Sequence, residues 1–136
     1  AFSQSVHNTA AGLFTIAQGC PIPFTSIGGG EDSFHCALIE AHAYLDEFPE
    51  HRVLLLNFDE PLPPPYEDWE KPQPPAYALG LLLSSGDALS LRREQATEAQ
   101  IEMLPQALQF IQHHLRAHAS WTIPSPRNLW HWSTDR

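Results

Sequence analysis

Gly28-Gly29-Gly30-Glu31-Asp32 is the stretch of this chain closest to a chemical device: three glycines, then two carboxylates, at the head of an amphipathic segment. Glycines before a helix leave backbone amides free to cradle a phosphate. Here Glu31 and Asp32 follow at once and occupy that positive end themselves, as acids in a first helical turn commonly do. Phosphate binding is therefore not expected, and close backbone packing is the plainer use of the glycines. The histidines form a second group. His113, His114 and His118 crowd together near the C-terminal end, with His131 beyond them. His114 and His118 stand four apart, a spacing that can hold a metal on one helical face. No acid joins them nearby, and histidines late in a helix complement its dipole, so neither a metal nor another cofactor is expected. A thiol nucleophile needs a lowered pKa and a base in reach. Cys36 falls more than a turn inside a helix, Cys20 precedes a proline, and His35 points away from its neighbour Cys36 on a helix. Ser33, His7 and Asp59 supply the residue types of a hydrolytic triad, but no spacing specifies one.

The elements that must position these residues follow from apolar periodicity and breakers. Residues 5–18 suit a helix closed by Gly19 and stopped by Pro21. Phe24 to Ile27 is a short buried-strand candidate. From Glu31 the spacing Phe34, Leu38, Ala41, Leu45 predicts a helix ended by Pro49. Arg52 to Phe58 is a continuous apolar run between charged flanks, which predicts a strand buried on both faces of a parallel sheet. Strand, helix, strand at this spacing is a right-handed crossover unit. Residues 59–75 contain seven prolines and read as a surface loop. Tyr77 to Leu83 and Ala88 to Arg92 read as two strands joined by a turn. A last helix shows Leu108, Ile111 and Leu115 on one face, with Pro105 in its first turn and Ile101 and Leu104 in an earlier turn or extension. The tail, with Trp121, Trp130 and Trp132, is expected to dock on the body.

Length and composition bound the partners. The 136 residues make a single α/β domain, and a hydrophobic content of 43% suits a folded core. Sixteen acids against seven Lys+Arg give a formal charge of −9, which disfavours nucleic acid and anionic membranes. An acidic carrier protein would need a local basic patch, for which Arg92, Arg93 and Arg116 are the seeds. Cys20 and Cys36 are expected to be free thiols in a reducing cytosol. No apolar run reaches the ~18–20 residues of a membrane span. The chain opens on Ala1 close to structured sequence, so upstream residues are expected to be missing.

Two stretches together carry a family resemblance. SVHNTAAGLFTIAQG, residues 5–19, is similar to the helix that β-ketoacyl synthases of the thiolase fold place before their nucleophile strand. TSIGGGEDSFHCALIEA, residues 25–41, resembles the nucleophile strand, turn and helix. HRVLLLNFDEPLPPPY resembles the next strand and its exit, and the ending with Trp130, Trp132 and Arg136 resembles the tails of short synthase-like relatives from bacterial fatty-acid and aryl-polyene-type clusters. The resemblance implies an N-terminal-half thiolase-like fold, with a mostly parallel sheet flanked by helices and its upstream strands absent.

Matching the helices by Glu40-Ala41 puts Glu31 where the family has its nucleophilic cysteine. A carboxylate cannot form the acyl thioester on which condensation depends, and chain-length factors likewise replace that cysteine. The family's second-half histidines are absent too. The resemblance thus implies a noncatalytic, chain-length-factor-like subunit, bacterial and cytoplasmic, that dimerises with a ketosynthase and has an acyl carrier protein as a further partner candidate. On that reading Phe24, Thr25, Ser26 and Ile27 lie at the dimer interface, and His7, Asn8, Glu31 and Phe34 line a vestigial site or acyl channel. Two alternatives stand beside it. In one, Glu31 is a base or decarboxylation promoter in an enzyme acting on carrier-bound acyl groups, its pKa raised by burial. In the other, the chain is a structural interaction domain without an acyl ligand.

Overall fold

The computed structural model describes residues 8–66, 75–98 and 104–135. His7, residues 67–74 of the proline-rich stretch and Ile101 lie outside the described residues. Helix α1 spans Thr9–Gln18, α2 spans Ser33–Glu47, and strand β1 spans Arg52–Asp59. Then come β2 (Tyr77–Ser84), β3 (Leu89–Gln95), α3 (Gln106–Leu115), β4 (Ser120–Pro124) and β5 (Asn128–Thr134).

The helices form where periodicity places them. Gly19 ends α1 at φ 58°, a left-handed conformation in which its N–H reaches the Ile16 carbonyl and the Cys20 N–H reaches Thr15. A 3-10 turn over Gly30–Asp32 leads into α2, and α2 stops at Phe48, just before Pro49. Pro105 sits one position earlier than expected: it is the N-cap of α3, in extended backbone, and its carbonyl receives the Leu108 and Gln109 N–H groups. The buried face of α3 is carried by Ala107 and Phe110, while Leu115 is 76% exposed.

The strands require four corrections. Phe24 to Ile27 is irregular, with Phe24 and Thr25 exposed and Ser26 and Ile27 half-buried. Both sheets are antiparallel among the described residues, so the parallel crossover is not present there. β1 pairs with β2 in a register running from Arg52 opposite Ser84 to Asp59 opposite Tyr77. The physical reason is the connection: no described helix separates β1 from β2, and a parallel return needs a crossover, most often helical. β1 is also not covered on both faces. Leu55 is buried beneath α2, whereas Leu54, Leu56 and Phe58, with Leu82 across from Leu54, are each 62–63% exposed. Finally, β2 and β3 do not form a hairpin. The turn between them passes the chain to a second sheet of order β3-β5-β4.

The C-terminal tail docks as expected, and it does so as a hairpin. Alternation along β4 and β5 buries Trp121, Ile123, Trp130 and Trp132, which join Phe34, Leu55, Ala107 and Phe110 in the core. Tyr77, Leu79, Leu81 and Leu83 of β2 close it from the other side. α1 contributes no buried residue.

Candidate functional site

The glycine turn ahead of α2 is where sequence and structure converge. Gly30 adopts φ 61°, open only to glycine without strain. Ser33 then ties the turn to itself: its hydroxyl donates to the Gly30 carbonyl at 2.6 Å and accepts the Gly29 N–H at 3.0 Å. That hydroxyl is thus engaged locally rather than poised as a nucleophile. Glu31 points outward and is exposed, beside a shallow cleft of about 310 Å³ that it shares with Gly29, Gly30, Asp32, Pro126 and Arg127.

Asp32 does the opposite. It is 7% exposed, and its carboxylate gathers four donors. Oδ1 accepts from Gln106 Nε2 at 3.0 Å and Trp130 Nε1 at 2.7 Å; Oδ2 accepts from Asn128 Nδ2 at 2.7 Å and the Ser125 hydroxyl at 3.2 Å. Burial pushes its pKa up, but the four hydrogen bonds outweigh that and hold the carboxyl below its usual value. The residue is therefore a fully satisfied buried anion that joins the head of α2 to the head of α3 and to the β4–β5 hairpin, and not a surface complement to the helix dipole.

His35 extends the network one helical turn further. It is fully buried, stacked on Trp130 with ring centroids 4.4 Å apart and planes 5° from parallel. Its Nδ1 meets Gln106 Oε1, and its Nε2 accepts from Trp132 Nε1 at 3.1 Å. The indole can only donate, so His35 is the neutral tautomer with its proton on Nδ1. Burial lowers its pKa to about 4, against smaller opposing effects of Gln106 and Asp32. Buried and hydrogen-bonded to one another, Asp32, His35 and Gln106 build the scaffold behind the turn.

The other sequence candidates separate. Phe34 is a core residue packed on Phe110, with ring centroids 5.5 Å apart, and Asn8 is the exposed N-cap of α1. Cys20 and Cys36 are free thiols. Cys36 Sγ packs against Gly29, where an added Cβ would lie 2.9 Å from the sulfur and 3.3 Å from the Ser33 backbone. Gly29→Ala is accordingly expected to destabilise the domain by about 1–3 kcal/mol, read as a lower urea midpoint. Combining it with Cys36→Ala should restore part of the loss, and equal losses with and without the thiol would exclude this contact as the cause. Sequence reasoning missed the role of Asp32 and His35. Their signal was present in the i, i+3 spacing and in two tryptophans two apart on one strand, but nothing local shows that the two faces meet.

Comparison with known proteins bears on this site. The profile of the β-ketoacyl synthase N-terminal domain matches residues 1–133. A search of curated proteins found no match. Among solved structures, the chain is similar to one from the complex of the ketosynthase ApeO with its chain length factor ApeC from Xenorhabdus doucetiae, with 32% identity and a TM-score of 0.82. The alignment covers 97% of this chain and 56% of that one, so the present chain spans little more than half its length.

Proposed function

The chain belongs to the β-ketoacyl synthase N-terminal domain family, and on that footing we propose that it is a noncatalytic, chain-length-factor-like partner of a ketosynthase in polyene or fatty-acyl biosynthesis. The observation that carries this reading is the turn before α2. Where the resemblance puts the family's attacking thiol stand Glu31, which faces solvent, and Asp32, whose carboxylate is engaged by four donors. The nearest thiol, Cys36, lies a full turn into α2 against Gly29. Neither carboxylate can take up an acyl chain as a thioester.

Association is supported by surface. The outer face of the β1–β2 ribbon carries Leu54, Leu56, Phe58 and Leu82, and α1 exposes Leu13, Phe14 and Ile16. Exposed apolar faces of this kind favour cover by other protein. Phe24 to Ile27 is proposed as part of that contact, with an acyl carrier protein as a further partner. The enzymatic alternative asks for a buried Glu31, and an exposed carboxylate withdraws that support. Among the described residues no helix is long and apolar enough to cross a membrane.

Native mass spectrometry tests the proposal. The natural full-length protein, co-expressed with ketosynthases and an acyl carrier protein from its source organism, is expected to form a stable complex with one ketosynthase and to carry no acyl adduct. Glu31→Gln should leave both complex and product length unchanged. An acyl adduct on this chain, activity lost with Glu31→Gln, or failure to recruit any ketosynthase would reject it.

A further inference from the structure

Where α3 ends, the chain turns through Ala117, a non-glycine residue at φ 57°. Left-handed backbone costs an L-residue about 1–2 kcal/mol. The turn is closed by the Ala117 N–H to the His114 carbonyl at 3.0 Å and the His118 N–H to the His113 carbonyl at 3.3 Å. It folds His118 back over the last turn of α3, bringing its Nδ1 to 2.8 Å from Nδ1 of His113. One ring donates and the other accepts. His113 is steadied from behind by its stack on buried Trp121, centroids 5.8 Å apart and planes 10° from parallel. His114 takes no part, because it stacks on Phe110 instead. The i, i+4 pair suggested by sequence is thus replaced by an i, i+5 pair that only the strained turn creates.

We propose that His113 and His118 chelate a divalent transition metal of the nickel or copper kind. The ion takes the place of the imidazole–imidazole hydrogen bond, and the donor ring then carries its proton on Nε2. Two metal–imidazole bonds of about 2.0–2.1 Å at a right angle place their nitrogens about 2.9 Å apart. The two nitrogens already stand 2.8 Å apart in their hydrogen bond, close to that span, and the rings need only turn until both lone pairs face one point. Among the described residues no third His, Cys, Asp or Glu completes the set, so water fills the remaining positions. Imidazole ligands without a carboxylate favour nickel, copper or zinc over magnesium or calcium.

The test is isothermal titration of the untagged chain with nickel(II) chloride near neutral pH, beside His113→Ala, His118→Ala and His114→Ala. One equivalent is expected to bind. Loss of a direct ligand should weaken it at least as much as loss of an outer-shell partner does elsewhere, roughly tenfold or more, in both His113→Ala and His118→Ala, with His114→Ala unchanged. His118 makes no core contact, so its variant keeps the test decisive should His113→Ala lose the Trp121 stack and unfold. Absence of a one-equivalent site, an unaffected His118→Ala, or an equal loss in His114→Ala would overturn the proposal.

Discussion

Asp32→Ala is expected to cost the domain about 3–5 kcal/mol, a large share of the ~5–15 kcal/mol that hold a domain of ordinary stability together. The substitution removes one acceptor and strands four donors, from Gln106 on α3, Asn128 and Trp130 on β5, and Ser125 in the turn between β4 and β5. Hydrogen bonds to a charged group contribute about 1.5–3 kcal/mol each, less than additively, and an unpaired buried donor adds its own penalty. Asp32→Asn separates charge from geometry. With its oxygen toward Gln106 and Trp130, its amide faces Ser125, which can rotate to accept, and Asn128, whose amide can turn over. A loss of about 1–2 kcal/mol is expected for the asparagine variant. Urea unfolding reads both. An alanine variant with an unchanged midpoint would mean that the carboxylate is not the joint described here.

The second large effect is acid lability with an onset near pH 6.5, set by His35. Its pKa is depressed from 6.5 in the unfolded chain to about 4 in the native one. Between those values the unfolded state binds a proton that the native state refuses, so stability is full above pH 6.5 and declines as pH falls toward 4. The whole interval amounts to about 3 kcal/mol. Geometry gives the same direction. A proton added to Nε2 would face the Trp132 indole N–H, donor against donor, while Nδ1–H already engages Gln106. Asp32 adds to the trend lower down: its depressed carboxyl stabilises the fold above the ordinary carboxylate range and loses that contribution as pH drops through it. Urea midpoints measured from pH 7.5 to 4.5 should fall steadily in the parent chain. In His35→Gln the baseline stability is lower, and the decline down to the carboxylate range should flatten. A variant that keeps the parent's slope would assign the titration elsewhere.

Much of this architecture was legible in the residues. The glycine turn, α2, the Gly19 stop of α1 and the strand character of residues 52–58 all follow from short-range rules. Pairing did not follow. The unbroken apolar run Val53 to Leu56 in β1 suggested two covered faces, but periodicity cannot tell a strand roofed on both sides from one whose outer leucines await a neighbour. The turn at residues 85–88 has hairpin chemistry, and yet the strands it joins enter different sheets, because β3 finds β5 some forty residues later. The tail's tryptophans announced burial. That they supply the hydrogen-bond donors for an acid at residue 32 is information held in no local window. Asp32 itself was read as a helix-end charge, since that is what an acid after three glycines ordinarily is.

The long reach of that joint also sets the order in which the protein can be made. Asp32 meets Asn128 and Trp130, and His35 meets Trp132, across 96 to 98 positions of chain. Until β5 has left the ribosome, Asp32 lacks its two shortest hydrogen bonds, from Asn128 and Trp130, and His35 lacks both its stack on Trp130 and the Trp132 donor. α2 and the β1–β2 ribbon are therefore synthesised before the strand that completes them, and the contacts of Asp32 and His35 with β5 form only after synthesis has passed Trp132. Such delayed closure leaves apolar strands uncovered during translation.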